Sequence, residues 1–179
     1  MSQLNYVPTV PADLALRWGD PEIIQGPELA RAFVWEVDPS GDGVVFARAD
    51  TRESESRRAH QLVELLDQVT EHARRPRWAL LTLWCSGALA YEERPDLQYI
   101  DRVIRSGECA WVAFGDAADV ARNTLCAWRF YGTLRSAGTS LFLASHDGFV
   151  DLERMQASPI RGKDLPSLHA LLKGRGSSA

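Results

Sequence analysis

The regular part of this sequence, residues 44–173, predicts an α/β domain: a mostly parallel sheet of four to five strands with helices on both faces. Three observations predict it. Short apolar runs alternate with segments whose apolar residues recur every three or four positions, from Val44 to Ala144. Proline or glycine punctuates the ends of the helical segments. Strands joined through helices have to run parallel, and the helices then cover the sheet on both sides.

The elements follow in order. Val44-Val45-Phe46-Ala47 is a short strand. After Thr51, Ala59, Leu62, Leu66, Val69 and Ala73 fall on one helical face. Thr51, with Glu53 and Glu55 behind it, suits a helix start, because a hydroxyl accepts an orphan amide and acids suit the positive dipole end. Pro76 stops this helix, and Trp78–Trp84 reads as the second strand. Asp96–Ser106 is a helix stopped by Gly107, Trp111–Phe114 a third strand, Asp119–Ala137 a helix stopped by Gly138, and Ser140–Ala144 a fourth strand. Pro166–Lys173 adds two turns of helix with proline at its first position, and residues 174–179 form a flexible tail.

Residues 1–43 read as an appended arm. They carry Pro8, Pro11, Pro21, Pro27 and Pro39 and end in Pro39-Ser40-Gly41-Asp42-Gly43, which disfavours long regular elements, although the short run Pro27–Trp35 can still form a helix or a strand. The arm is ordered by docking Trp18, Ile23, Ile24, Phe33 and Trp35 on the domain. Residues 1–45 hold seven acids and two arginines, net −5, so the rest of a chain of net charge −4 is at +1. One reading of this asymmetry folds the acidic arm over Arg48 and Arg122.

The 179 residues, 45% hydrophobic and 25% charged, suit one such domain. No apolar run is long enough to span a bilayer and the N-terminus has no basic flank before an apolar core, so a cytoplasmic protein without membrane contact is expected. Cys85, Cys109 and Cys126 are widely spaced and odd in number, which favours buried free thiols over disulfides or a zinc knuckle. Eighteen arginines against two lysines, Lys163 and Lys173, fit phosphate recognition or a coding bias equally.

Ligands of parallel sheets bind beyond the carboxyl ends of the strands. The loops there carry Arg48, Asp50, Thr51, Ser86, Asp116, Asp119, His146 and Asp147, with Arg122 one helical turn further on. No phosphate-binding glycine loop follows the first strand, so no nucleotide cofactor is expected. His146-Asp147-Gly148 reads as a turn, and the other histidines show no metal-ligand spacing.

Taken together these residues resemble the catalytic domain of the serine recombinases, the resolvase and invertase family. VVFARADT resembles the family's first strand ending in Y-x-R-V-S-T, and His60-Gln61-Leu62 resembles its R-Q-L. Ser86-Gly87, Arg94-Pro95, Gly107 and Arg122-Asn123 fall where the family has S-G, R-P, the glycine after the next helix and the end of D-R-L-x-R-N. FYGTLRSAGTSLFLASHDGFVDLE resembles the following helix, G-V-x-L strand and loop, so the resemblance runs from about residue 44 to about 165.

The resemblance implies a serine at the end of the first strand that attacks a DNA phosphodiester, with arginines stabilising the transition state. Arg48 matches the arginine two positions before that serine, but the serine's place holds Asp50. Asp119 stands at the first arginine of D-R-L-x-R, Ala118 at its aspartate and Ser54 at a glutamine, while Arg122 keeps the second arginine. A carboxylate at the attack position repels a phosphodiester, so the residues Arg48, Asp50, Thr51, Ser54, Asp119 and Arg122 form a degenerate site.

The expected function is that of a catalytically inactive interaction or regulatory module, binding itself or a related recombinase. Two alternatives are an inhibitor that enters mixed assemblies with an active recombinase, and residual or repurposed DNA phosphodiester chemistry. The latter would use Thr51 or Ser54 as a displaced nucleophile, or a divalent cation on Asp50, Asp116 and Asp119. Against the cation stands the pairing of Asp50 and Asp119 with Arg48 and Arg122 as salt bridges, so no metal is expected. No DNA-reading element follows the domain, so sequence-specific DNA binding by the chain alone is not expected.

Overall fold

The computed structural model describes residues 7–152. Seven strands form one sheet in the order β1-β2-β4-β3-β5-β6-β7. The strands are β1 (Glu22–Gln25), β2 (Arg31–Glu36), β3 (Gly43–Ala49), β4 (Pro76–Leu83), β5 (Trp111–Phe114), β6 (Ser140–Leu143) and β7 (Gly148–Val150). The helices are α1 (Ala12–Trp18), α2 (Glu55–Glu71), α3 (Pro95–Arg105), α4 (Ala117–Val120) and α5 (Thr124–Ser136).

The four strands read from the sequence, β3, β4, β5 and β6, run parallel to one another. The sheet as a whole is mixed and larger than expected. β2 pairs antiparallel with β4 and β1 antiparallel with β2, while β7 closes the other side antiparallel to β6. Residues read as an arm thus supply α1, β1 and β2. Their prolines lie at the ends of these elements and in the turns between them, where a missing amide costs nothing. The predicted helix 166–173 and the tail lie outside the described residues.

The period-two and period-3.6 patterns explain the layers. Val44 and Phe46 of β3 face one side with Leu80, Val112, Phe114, Leu141 and Leu143, where α3 and α5 cover them. Val45, Ala47 and Ala49 face the other side, covered by Ala59, Leu62, Leu65 and Val69 of α2 and by Leu14 of α1. Phe33 and Trp35 of β2 join that second layer, and the Trp35 indole donates to Gly19 O at 2.9 Å. α2 ends at Glu71, with Ala73 in the left-handed region, so Pro76 opens β4 instead of stopping the helix.

The helix expected over Asp119–Ala137 is broken in two. Ala121 is extended, because Arg122 N and Asn123 N turn away from the helix axis to donate to Gly87 O at 2.7 and 3.2 Å. Asn123 then caps α5 by accepting from Cys126 N at 3.1 Å, as a fresh helix start requires.

Cys85, Cys109 and Cys126 are all free and buried. Burial pushes the Cys85 and Cys109 thiols up to about 12, and it raises Cys126 as well. An aromatic disulfide reagent at pH 8 is therefore expected to leave all three unmodified in the native protein and to modify all three in urea. Rapid modification of any one in the native state contradicts this burial.

Candidate functional site at the carboxyl ends of the parallel strands

β3 is buried along its whole length, so Arg48, near its end, places a guanidinium inside the molecule with 2% of its surface exposed. Such a charge requires complete hydrogen bonding. Arg48 Nε donates to Asp119 O at 3.1 Å, Nη1 to Cys85 O at 2.9 Å and Nη2 to Ala118 O at 3.3 Å. Nη1 also meets Asp50 Oδ1 in a close ion pair. Burial, and next the nearby Arg94 charge, lower the Arg48 pKa to about 10, so it is still a cation at neutral pH.

Asp50 has a second cation. Its Oδ2 lies 2.9 Å from Arg122 Nη2, an ionic contact to a guanidinium that is itself mostly exposed. The carboxylate thus bridges the two arginines that converge on the head of β3. Gly87 makes that convergence possible, since a Cβ there would stand 2.7 Å from Arg48 Nη2 and 3.0 Å from Arg122 Cγ.

Asp119 goes elsewhere. The pairing expected between Asp119 and the Arg48–Arg122 set is replaced by one with Arg58, whose Nη1 donates to Asp119 Oδ1 at 2.7 Å and to Gln61 Oε1 at 2.8 Å. Asp119 Oδ2 accepts Asp116 N at 3.0 Å, while Asp116 caps α4 by accepting Ala118 N at 2.9 Å. The three carboxylates proposed for a cation are therefore committed to separate tasks. Among the described residues no group of His, Cys, Asp and Glu is placed to hold a metal ion.

Thr51 and Ser54 sit together at the head of α2. Ser54 Oγ donates to Thr51 O at 2.8 Å and receives Thr51 N at 3.3 Å, and Ser54, not Thr51, is the residue that precedes the first turn of α2. These bonds are those of a capping turn, in which the Thr51 side chain also hydrogen-bonds the exposed Glu53 carboxylate. His146 and Asp147 form a turn, as read: Asp147 is left-handed and accepts Gln68 Nε2 at 2.9 Å, and its carboxylate lies 3.1 Å from His72 Nε2. Nothing in residues 7–42 is among the partners of Arg48 or Arg122. The described part of the acidic segment lies at the β4 side of the sheet, and the charges at the strand ends are met by Asp50.

Arg58 escaped the sequence reading, and Arg94 entered it only through the Arg94-Pro95 match, with no place in the site. Arg58 lies next to Arg57 on a helix that looks solvated from its composition. Arg94 is the most buried charge of the site region: it and Asp96 have no exposed surface, and Nε and Nη2 donate to the two Asp96 oxygens at 2.9 and 2.8 Å. Arg94 Nη1 donates to Val120 O at 2.7 Å, which ties the start of α3 to the α4–α5 break. Burial, the largest influence, disfavours its charge, but the Asp96 pairing outweighs it and raises the Arg94 pKa. The Arg94-Pro95-Asp96 spacing was the available signal, an arginine and an acid astride a helix start.

No protein-family model and no curated protein matches this chain. Solved structures do. The C-terminal catalytic domain of ISC1926 TnpA, an IS607-like serine recombinase, superposes with a TM-score of 0.50 at 12% identity, over 57% of this chain and 68% of that one. The first open reading frame of transposon ISC1904 from Sulfolobus solfataricus P2 matches at 14% identity with a TM-score of 0.44, over 74% of this chain and 76% of that one. Described residues include no helix long and apolar enough to cross a membrane. The chain thus has the α/β fold of a serine recombinase catalytic domain, with a seven-stranded mixed sheet.

Proposed function

We propose that the protein is a serine-recombinase-like domain without strand-exchange chemistry, working as an interaction or regulatory module. The observation that carries this reading is Asp50, which stands at the head of β3 and bridges Arg48 and Arg122. In a recombinase these are the places of the attacking serine and of two arginines that receive the phosphodiester. Here an internal carboxylate already satisfies the two cations, and it lacks the hydroxyl that the resembled mechanism uses. Thr51 and Ser54 are the hydroxyls nearest in sequence, and they are bonded to each other in a capping turn.

The test is incubation of the protein with supercoiled plasmid, followed by denaturing electrophoresis. The expected result is intact plasmid and no covalent protein–DNA adduct, with or without magnesium. Nicking or an adduct that disappears in Thr51→Ala or Ser54→Ala overturns the reading.

A further inference from the structure

Away from Asp50, the molecule carries an open sheet edge beside a charged groove. β1 is the last strand on its side, so its outer backbone groups have no strand partner among the described residues. Edges are commonly blunted by lysine, proline or a bulge. β1, Glu-Ile-Ile-Gln, is short and carries the charge of Glu22, but holds no lysine, proline or bulge, since Pro21 and Pro27 lie outside it. Its isoleucines point to opposite faces: Ile23 is 48% exposed, while Ile24 packs with the layer under α3.

Two adjoining hollows of about 490 and 480 Å³ run between this edge and α3, and both are lined by Tyr99 and Arg102. The first has Val34 and Trp78 in its floor, and the second has Ile24 and Pro95. Their walls hold five acids and three arginines, a net charge of −2. Arg77 engages Glu36 at 2.9 Å and Glu108 at 3.4 Å, Arg105 engages Asp101 at 2.7 Å, and Arg102 reaches Glu22 only at 3.9 Å. Asp20 has no ion pair among the described residues.

The field in the groove is negative. The Tyr99 hydroxyl is pushed up to about 12 by burial and next by Glu22, with Glu108 and Glu36 acting in the same direction against Arg102. Two of the groove's rings are already faced by its own arginines, Arg77 4.5 Å over Trp78 and Arg102 4.8 Å over Tyr99. α3, 11 residues long, extends about 16 Å, which matches about five residues of extended chain.

We propose that the free edge of β1 and the groove beside it bind an extended basic segment of a partner protein, which adds to the sheet as a further strand. The proposal rests on the interaction-module reading above. Backbone bonds to β1 hold the segment. Alternate arginine or lysine side chains reach Asp20 and Glu22 from it, with their stems along the apolar floor. A second copy of this chain is the poorer occupant. Its own edge carries the same acids, and two segments of net charge −5 would face each other.

Fluorescence anisotropy with a labelled ten-residue peptide of alternating arginine and threonine tests this, against the same peptide with glutamate for arginine. The arginine peptide is expected to bind, with affinity falling as salt rises, and the glutamate peptide is not. The exposed double variant Asp20→Lys/Glu22→Lys should weaken binding at least tenfold. Glu64→Lys/Glu71→Lys on α2, with the same change of total charge, should weaken it less than threefold.

Four results overturn the proposal: no binding of the arginine peptide, equal binding of both peptides, equal loss in both double variants, or a dimer in sedimentation that Ile23→Pro abolishes. The last would hand the edge to a second copy. Plasmid nicking bears on Asp50 alone, so failure of the functional reading is distinguishable from failure here.

Discussion

Replacing Asp50 with alanine is expected to lower the unfolding free energy by about 2 to 4 kcal/mol and to open an oxyanion site in the same step. Arg48 is 2% exposed, and Asp50 is its closest counter-charge. Removing one partner of a buried pair leaves an uncompensated charge, which typically costs ~3–5 kcal/mol. The lower range applies here because the carbonyls of Cys85, Ala118 and Asp119 still accept from Arg48 and because Asp50 itself is 21% exposed.

The space left by the carboxylate then lies between two guanidiniums, and a sulfate ion supplies the charge it lost. Sulfate at about 100 times its dissociation constant returns ~2.7 kcal/mol. Urea unfolding in sodium sulfate and in sodium chloride of equal ionic strength checks both halves. Asp50→Ala should regain stability in sulfate specifically, whereas the native protein, its site already filled, should gain only the general salting effect. An alanine variant as stable as the native protein, or an equal sulfate effect on both, refutes the bridging role of Asp50.

Arg94→Ala is expected to cost more, about 3 to 5 kcal/mol. Arg94 and Asp96 are both fully buried, so neither can turn to water when the other is removed. The same substitution frees the Val120 carbonyl, which anchors the turn between α4 and α5 that carries Arg122. Asp96→Ala should be costly for the same reason, since it strands a guanidinium. The double variant strands no charge, so its loss should fall well short of the sum of the singles. A urea double-mutant cycle measures this. Additivity within about 0.5 kcal/mol would mean that the two side chains act independently.

The centre of the fold was legible because its patterns are local. β3, β5 and β6 are short apolar runs, and the helical period placed Ala59, Leu62 and Val69 on the buried face of α2, although Leu65 and not Leu66 completes that face and Ala73 lies exposed beyond the helix end. The edge was not legible. β2 is buried at four consecutive positions, Ala32 to Trp35, so it shows no alternation, and its partner β4 lies far along the chain. Closely spaced prolines made the region look like an arm, although they fall between its elements.

The site divides in the same way. Arg48 and Asp50 are two residues apart at the end of β3, and Arg122 entered through the resemblance, so their convergence was readable. Arg58 and Arg94 were not, because their partners Asp119 and Val120 sit on a four-residue helix whose position over α2 and α3 is a tertiary fact. The assignment of Asp119 failed for that reason: its carboxylate pairs with Arg58, a neighbour in space, and not with Arg122, its neighbour in sequence.

The pairing of β2 with β4 sets an order of events during synthesis. Glu36 and Pro76 are forty residues apart, which at ~5–20 residues per second separates the two strands by roughly 2 to 8 s on the ribosome. Throughout that interval β2 has β1 as its strand partner but lacks β4, against which Phe33 and Trp35 are later buried. The burial of Phe33 and Trp35 thus waits on a strand made forty residues later.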